Sequence, residues 1–409
     1  MPPVFNERSY MSLIDRLSDP ECWEKFYNYK TSLSCTKQFT KELRSFIDEK
    51  RYIRVCDAIR EGAPFPLPKR AVISKLGTSK KRVIYTYPSD ENTVLKLLTY
   101  LLLRNYDSIF AENLFSFRPS HTAKKAFARL AFVPDMNDMH SYKVDVSNYF
   151  NSVSIDLLLP MLKKTLGDDE RLYSFLASLL NEKRVRRGDS EIIEQKGIMA
   201  GTPLAAFYAN LYLSGLDHLF ASRNIPYVRY SDDIIVFART REETEKNADI
   251  IREHLAQLRL SVNPEKECFA SADDGWVFLG FYYKKGVIDI SPASVTKMKN
   301  KMRRRLRTFM RWSDRKNVPT EKAAASLIKA YNCKLYEYRE DNELTWTHWF
   351  FPVINTDRSL KVIDRYAQDC IRTMISGKHT KARFNVRYGK LKELGYRSLV
   401  HEYYLAQNG

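Results

Sequence analysis

The sequence predicts an α+β fold, and three observations lead there. Short Val-, Ile- and Tyr-rich runs bounded by turn residues fall between residues 71 and 290. Helical periodicity dominates residues 1–60 and the chain after 292. The two kinds of segment do not alternate as regular βαβ units. A chain of 409 residues also exceeds one core of ordinary size, so two or three packed lobes are expected.

Taken in order, YMSLIDRL and FTKELRSFI space their apolar residues as helices do. EGAPFPLPKR (61–70), with three prolines and a glycine, is a rigid connector. AVISKL and RVIYTYP flank the polar GTSKK and predict a hairpin with a basic tip. Helices are expected over 91–112, 123–131 and 154–182, and KRVRRG (183–188) reads as a basic turn. SYKVDVSNYFNSV is a strand followed by a turn, and LAAFYANLYLSGLDHLF a single long helix. PYVRY and IIVFA are strands joined by Ser231, Asp232 and Asp233. A helix over 241–258 and the β-rich WVFLGFYYKKGVIDI precede the helical remainder.

The net charge of +18 points to an anionic partner, nucleic acid first and an anionic membrane second, beside the plainer reading of a generally basic surface with no dedicated partner. The longest apolar run, VLKLLTYLLL, is too short to span a bilayer, and the N-terminus does not read as a signal peptide. No membrane association is therefore expected. The six cysteines are dispersed and the seven histidines form no close pair, which argues against a disulfide framework or a His/Cys metal site and suits a reducing, cytoplasmic setting.

Asp is common in turns, so Asp232–Asp233 alone is unremarkable. Asp145, ending the strand Tyr142–Val144, changes its meaning, because both acidic sites would meet at one sheet rim. Nucleotidyl transfer uses two Mg²⁺ ions about 3.5–4 Å apart, and Mg²⁺ takes oxygen ligands from a few carboxylates plus substrate phosphates. Asp145, Asp232, Asp233 and the Val146 carbonyl would supply such a set, with Mn²⁺ as the substitute ion.

The ordered motifs resemble the reverse transcriptases of the prokaryotic group, related to group II intron enzymes and retrons. They are KLGTSKKRVIYTYP, LFSFRPSHTAKKAF, KVDVSNYFNSV, KGIMAGTPLAAFYANLYL, RYSDDIIVFA, LRLSVNPEKEC and FLGF, within residues 70–285. The resemblance implies a right-hand polymerase. It would have an N-terminal helical extension (1–66), fingers (67–140), a palm (141–290, with 154–196 partly a fingers insertion), and a helical thumb with a C-terminal segment (291–409). It implies that Asp145, Asp232 and Asp233 are catalytic. Phe150 is then a steric gate against a 2′-hydroxyl, Lys75 and Arg82 clasp the triphosphate, Gly201 (with Gly197) lets backbone approach the nucleotide, and Lys266 protonates pyrophosphate. Arg118, Tyr230, Leu279, Gly280, Arg303, Arg304 and Arg307 would contact template or primer. Plainer readings stand beside these: a core aromatic for Phe150, a solvated hairpin for Lys75 and Arg82, a surface lysine for Lys266. The pattern departs at Ala200, where many relatives carry Gln, and at Ala205–Ala206, where they carry Ser-Pro.

Lys297, Lys299, Lys301, Arg303, Arg304, Arg305, Arg307 and Arg311 crowd one predicted helix, whose Met298, Met302, Leu306, Phe309 and Met310 form an apolar stripe. Such a helix would either track a nucleic-acid backbone or be a solvated face. RFNVRYGKLKELGYRSLVHEYY resembles the tail of stand-alone, defence-associated bacterial reverse transcriptases, and neither an HNH nor a zinc motif is seen. The resemblance therefore implies dNTPs, an RNA template (a cognate non-coding RNA), a DNA product and a bacterial antiviral role. An RNA-binding maturase-like protein and an RNA-dependent RNA polymerase are the alternatives. The template, priming and oligomeric state are left open.

Overall fold

The computed structural model describes residues 12–32, 37–74, 81–131, 133–337, 345–377 and 379–408. Chain contacts divide it into two units. The first comprises Met1–Leu33, Lys37–Ala126 and Met139–Phe269; the second comprises Ser34–Thr36, Phe127–Asp138 and Ala270–Gly409.

In chain order the first unit begins with α1 (Leu13–Arg16), α2 (Pro20–Ser32), α3 (Lys37–Asp48) and α4 (Tyr52–Arg60), then β1 (Lys69–Ser74), β2 (Lys81–Thr86), α5 (Ser89–Asn105) and the start of α6 (Ala123–Ala131). It resumes with β3 (His140–Asp145), α7 (Tyr149–Ser152), α8 (Ile155–Leu166), α9 (Glu170–Asn181), β4 (Arg184–Arg187) and β5 (Ser190–Ile193). It closes with α10 (Ala205–Tyr212), α11 (Ser214–Ser222), β6 (Tyr227–Tyr230), β7 (Asp233–Ala238), α12 (Arg241–Gln257) and β8 (Cys268–Ala270). Val94, Leu95, Leu97, Leu98, Leu101 and Leu102 bury α5 nearly all round, the pattern of a central core helix. The N-terminal helices share that core: the Ser12 hydroxyl caps α1 and donates to Asp169, which itself caps α9. No helix among the described residues is long and apolar enough to cross a membrane.

Two local expectations need correction. KRVRRG is not a turn but the first strand of a hairpin, with Arg187 opposite Ser190 across Gly188–Asp189. Its three arginines hide the alternation, in which only Val185 points into the core. β4 also pairs in parallel with β1, giving a sheet in the order β2-β1-β4-β5. The long helix after Pro203 breaks at Leu213, which leaves helical geometry (φ −103°, ψ 8°). The Ser214 hydroxyl donates to the Leu211 carbonyl there and competes with the helical ladder. The second sheet, β6-β7-β3-β8, carries the acidic residues.

The second unit holds β9 (Trp276–Phe278), β10 (Phe281–Lys284) and β11 (Val287–Ile290), followed by α13 (Pro292–Lys316) and α14 (Thr320–Tyr336). It ends with α15 (Trp346–Phe350), α16 (Arg358–Ser376), α17 (Tyr388–Glu393) and α18 (Leu399–Asn408). α13, α14 and α16 pack on one another. Met298, Met302 and Leu306 form the buried stripe of α13, while Phe309 and Met310 are only half-buried. The Asp364 carboxylate accepts from Tyr396 (2.6 Å), Ser398 (2.9 Å) and the Leu399 N–H (2.8 Å), tying the tail to α16.

Candidate active site

Strand register builds the acidic site. β3 runs antiparallel to β7 with Asp145 opposite Asp233, and β6 pairs with β7 so that Tyr230 also faces Asp233. Ser231 and Asp232 are left as a two-residue turn, and Ser231 takes the left-handed conformation (φ 62°) that tight turns between twisted strands demand. The Val146 N–H donates to the Asp232 carbonyl (3.1 Å), and the Asn263 N–H donates to that of Asp145 (2.8 Å). Carboxylates from two stretches distant in sequence, Asp145 and the pair Asp232–Asp233, thereby share one sheet rim.

Their electrostatics are those of anions held close together. Burial raises the Asp232 carboxyl above the usual range, and the neighbouring Asp145 and Asp233 charges add to it. Burial likewise raises Asp233; Lys143 opposes this, and Asp145 reinforces it. Two lysines answer the charge: Lys266 Nζ lies 2.6 Å from Asp145 Oδ1, and Lys143 Nζ lies 3.4 Å from Asp233 Oδ1. An edge that draws in two ammonium groups has the field a divalent cation requires.

Behind the turn lies an ion pair that the motif reading did not single out. Arg229 and Asp217 are both fully buried, with Nη2 2.6 Å from Oδ2 and Nε 2.8 Å from Oδ1. The Tyr227 hydroxyl also donates to Asp217 (3.0 Å). The same guanidinium donates to the Ser231 carbonyl (3.2 Å) and the Asn210 carbonyl (3.1 Å), so it clamps the turn onto α10. The signal was visible: an Arg inside the apolar PYVRY and an Asp inside the apolar SGLDHLF have no reason to be buried except for each other.

Other expected site residues fall at definite places. The Tyr149 hydroxyl donates to the Ala209 carbonyl (2.6 Å) and pins α7, which leaves Phe150 half-buried and edge-on to Phe117 (centroids 6.5 Å apart). A Cβ on Gly201 (φ 100°) would lie 3.0 Å from the Tyr85 carbonyl, and the Tyr85 N–H donates to the Ala200 carbonyl (2.8 Å). The Gly201 turn is thus bonded to β2, the strand on which Arg82 stands exposed opposite Ile73. Lys75 lies outside the described residues. Tyr230 is half-buried at the end of β6. Arg118 is held internally: its side chain is 6% exposed, paired with Asp107 at 2.8 Å and donating to the Ala111 and Leu114 carbonyls. As placed, it ties its loop together rather than presenting its donors to a template.

In the second unit, Leu279 (φ 51°) and Gly280 (φ 86°) form the turn between β9 and β10, with Phe278 opposite Phe281. The Leu279 carbonyl accepts from Trp349 Nε1 (3.1 Å), and a Cβ on Gly280 would meet Ser294 Oγ at 2.9 Å. Arg303, Arg304 and Arg307 are exposed on α13.

Residues 67–283, just over half of the chain, match the family described as reverse transcriptase (RNA-dependent DNA polymerase). The chain belongs to the reverse transcriptase family. Its α+β architecture is the one expected for a right-hand polymerase of that family. Among solved structures it is similar to apo telomerase from Candida tropicalis truncated from its C-terminal domain (12% identity, 55% of this chain and 55% of that one, TM-score 0.44). The fuller apo telomerase of that organism gives 11% identity over 83% and 62% of the two chains, with a TM-score of 0.49. Telomerase from Candida albicans with a fragment of telomeric RNA gives 12% over 90% and 70%, with a TM-score of 0.43. The chain thus spans 55% of the first of these proteins. Among curated proteins none matches.

The residues fit the divalent ions that such an enzyme uses, in a particular way. No three acidic, His or Cys side chains among the described residues form a ready-made metal cage. An edge of carboxylate oxygens is instead the donor set for Mg²⁺ held jointly with substrate phosphates, the usual arrangement for that ion. Asp145, Asp232 and Asp233 would hold it, and when bound it would neutralise charge on the transferring phosphate.

Proposed function

We propose that this protein is an RNA-templated DNA polymerase, and that it copies a dedicated non-coding RNA in bacterial antiviral defence. The observation that carries the polymerase reading is the cross-strand pairing of Asp145 with Asp233, with Asp232 in the adjoining turn, in a chain of the reverse transcriptase family. Mg²⁺ is the proposed cofactor, and dNTPs, an RNA template and a DNA product are the proposed partners. Phe150, half-buried five residues after Asp145, supports deoxynucleotides over ribonucleotides, since an aromatic ring at that position of the family motif would oppose a 2′-hydroxyl. On this reading residues 67–140 are the fingers, 141–290 the palm, and 291–409, from α13 onward, the thumb and C-terminal segment. The finer role rests on the resemblance of the C-terminal tail and on the departures at Ala200 and Ala205–Ala206, which remove polar groups around the nucleotide and template. We place the enzyme in the bacterial cytoplasm.

Primer extension on an RNA template tests the reading. Extension with dNTPs and Mg²⁺, lost on Asp232→Asn and absent with NTPs, is the expected result. Extension with NTPs alone would make the chain an RNA polymerase. Sequencing the RNA and DNA that co-purify should return one RNA with its complementary DNA; a random sample of cellular RNA would sink the dedicated-template part.

A further inference from the structure

A cavity of about 700 Å³ lies in the first unit between the start of α8, the end of α9 and the segment before Gly197. None of the three carboxylates of the acidic edge lines it. Its walls are of two kinds. Val153, Leu159 and Leu180 give an apolar side, and Asn151, Lys183, Lys196 and Arg259, together with the acids Asp156, Glu182 and Glu194, give a polar one.

The polar side is unbalanced. Lys196 is 4% exposed, and its Nζ has no hydrogen-bond partner. The acids around it are already engaged: Glu182 with Arg184 (2.8 Å), Glu194 with Arg70 (3.0 Å) and the Tyr85 hydroxyl (2.7 Å), and Asp156 with Arg259 (2.8 Å). The Asn151 Oδ1 is a second buried atom without a partner, while its Nδ2 donates to Asn148 (3.4 Å). An unpaired buried ammonium is costly, and native chains seldom keep one without a use. Burial lowers the Lys196 ammonium to about 8, and the more distant Glu182 and Glu194 charges only partly offset this. A bound anion would restore the charged form.

We propose that this cavity is a second small-molecule site and that its ligand is a nucleoside monophosphate. The phosphate meets Lys196, an N–H or O–H of the ligand donates to Asn151 Oδ1, and the base lies on the Val153, Leu159 and Leu180 wall. The volume is within the usual range for small-molecule sites. The site adjoins the proposed gate through backbone: the Phe150 carbonyl accepts from the Ile198 N–H (2.9 Å), and a Cβ on Gly197 would sit 2.3 Å from that carbonyl. An occupant resting on Lys196 and Asn151 therefore braces the segment that carries Phe150. The proposal goes beyond the polymerase reading and does not depend on it.

Equilibrium dialysis of the full chain against dAMP, with EDTA present and no template, tests it. Saturable binding at one site is expected, with inorganic phosphate competing weakly and adenosine binding at least tenfold more weakly. Lys196→Met should lower dAMP affinity at least tenfold without lowering the melting temperature, because it removes an unpaired charge. Leu159→Trp, which fills the apolar wall and leaves Lys196 in place, should also block binding. No saturable binding by the wild-type chain would overturn the proposal, as would unchanged binding in either variant. Binding lost only in Asp232→Asn would place the ligand at the acidic edge, overturning this site while leaving the polymerase reading intact. Failure of primer extension would not move the dialysis result.

Discussion

The turn at Ser231–Asp232 and the helix α13 both depend on arginine, but in opposite states. Arg229 is fully buried against Asp217 and spreads its donors over three carbonyls, so its position is fixed. Arg303, Arg304 and Arg307 stand in solvent on α13. The difference matches what the proposed function asks of each region. Placing carboxylates for a reaction needs sub-ångström constancy, which a satisfied buried network supplies. Holding a nucleic-acid backbone needs only charge density, which mobile side chains supply by displacing counterions.

The sharpest way to break this comparison is at the acids themselves. Asp232→Asn with Asp233→Asn removes the charge on which the proposed chemistry depends. Loss of several kcal/mol of transition-state stabilisation predicts a fall in DNA synthesis of about 10³-fold or more. RNA affinity, which on the proposed function is carried by the basic surface, should change less than about twofold. Gel-based primer extension beside filter binding separates the two, and parallel losses would refute the division of labour.

Next in size is the buried pair. Arg229→Met alone leaves Asp217 charged and uncompensated, which should cost about 3–5 kcal/mol in urea unfolding. Adding Asp217→Leu should recover most of that stability, since apolar replacements of a buried pair are often neutral. Activity should not recover with it, because the Ser231 carbonyl has lost its donor. A double variant as active as wild type would reduce Arg229 to a filler of space.

For α13, Arg303→Gln, Arg304→Gln and Arg307→Gln together should weaken binding to all nucleic-acid sequences alike. Each lost phosphate contact flattens the log–log salt dependence by about 0.7–0.9. The triple variant should therefore lose about 2–3 from the slope while its unfolding free energy stays within about 0.5 kcal/mol of wild type. Titration across a KCl series reads this directly. An unchanged slope would leave the helix a solvated face.

These regions were not equally legible in the sequence. Asp145 and Asp232–Asp233 could be read because period-two strands fix which residues meet once the turn is found. The stripe of α13 was legible because Met298, Met302 and Leu306 repeat at helical spacing. β4 was missed because its exposed arginines outweigh the single inward Val185, and strand pairing with β1 is decided by residues more than a hundred positions away. Arg229–Asp217 was missed for a related reason: a motif draws attention to residues that touch substrate, whereas this pair acts on the turn from behind. Arg118 shows the converse. A basic residue in a family motif invited a template role, yet its donors already face Asp107 and two carbonyls.

The smallest effect bears on the acidic edge without any substrate. Asp232 and Asp233 both have carboxyls raised above their unfolded values by burial and mutual charge. A folded chain that binds protons more tightly than the unfolded one loses stability as pH rises through the interval between the two values. The metal-free protein should therefore be less stable at neutral pH than these two sites would leave it if they were uncharged. Asp232→Asn removes one repelling charge and should raise the metal-free Tm at pH 7.5 by on the order of 2 °C. The gain should vanish on acidification, where the wild-type carboxyl is protonated anyway. Excess Mg²⁺ should narrow the gap too, by stabilising the wild-type chain more than the variant. Calorimetry in EDTA and in Mg²⁺ at two pH values measures all four cases. A variant that melts below wild type in EDTA would mean that Asp232 is held for the fold, and the edge would no longer be a place where stability is given up for chemistry.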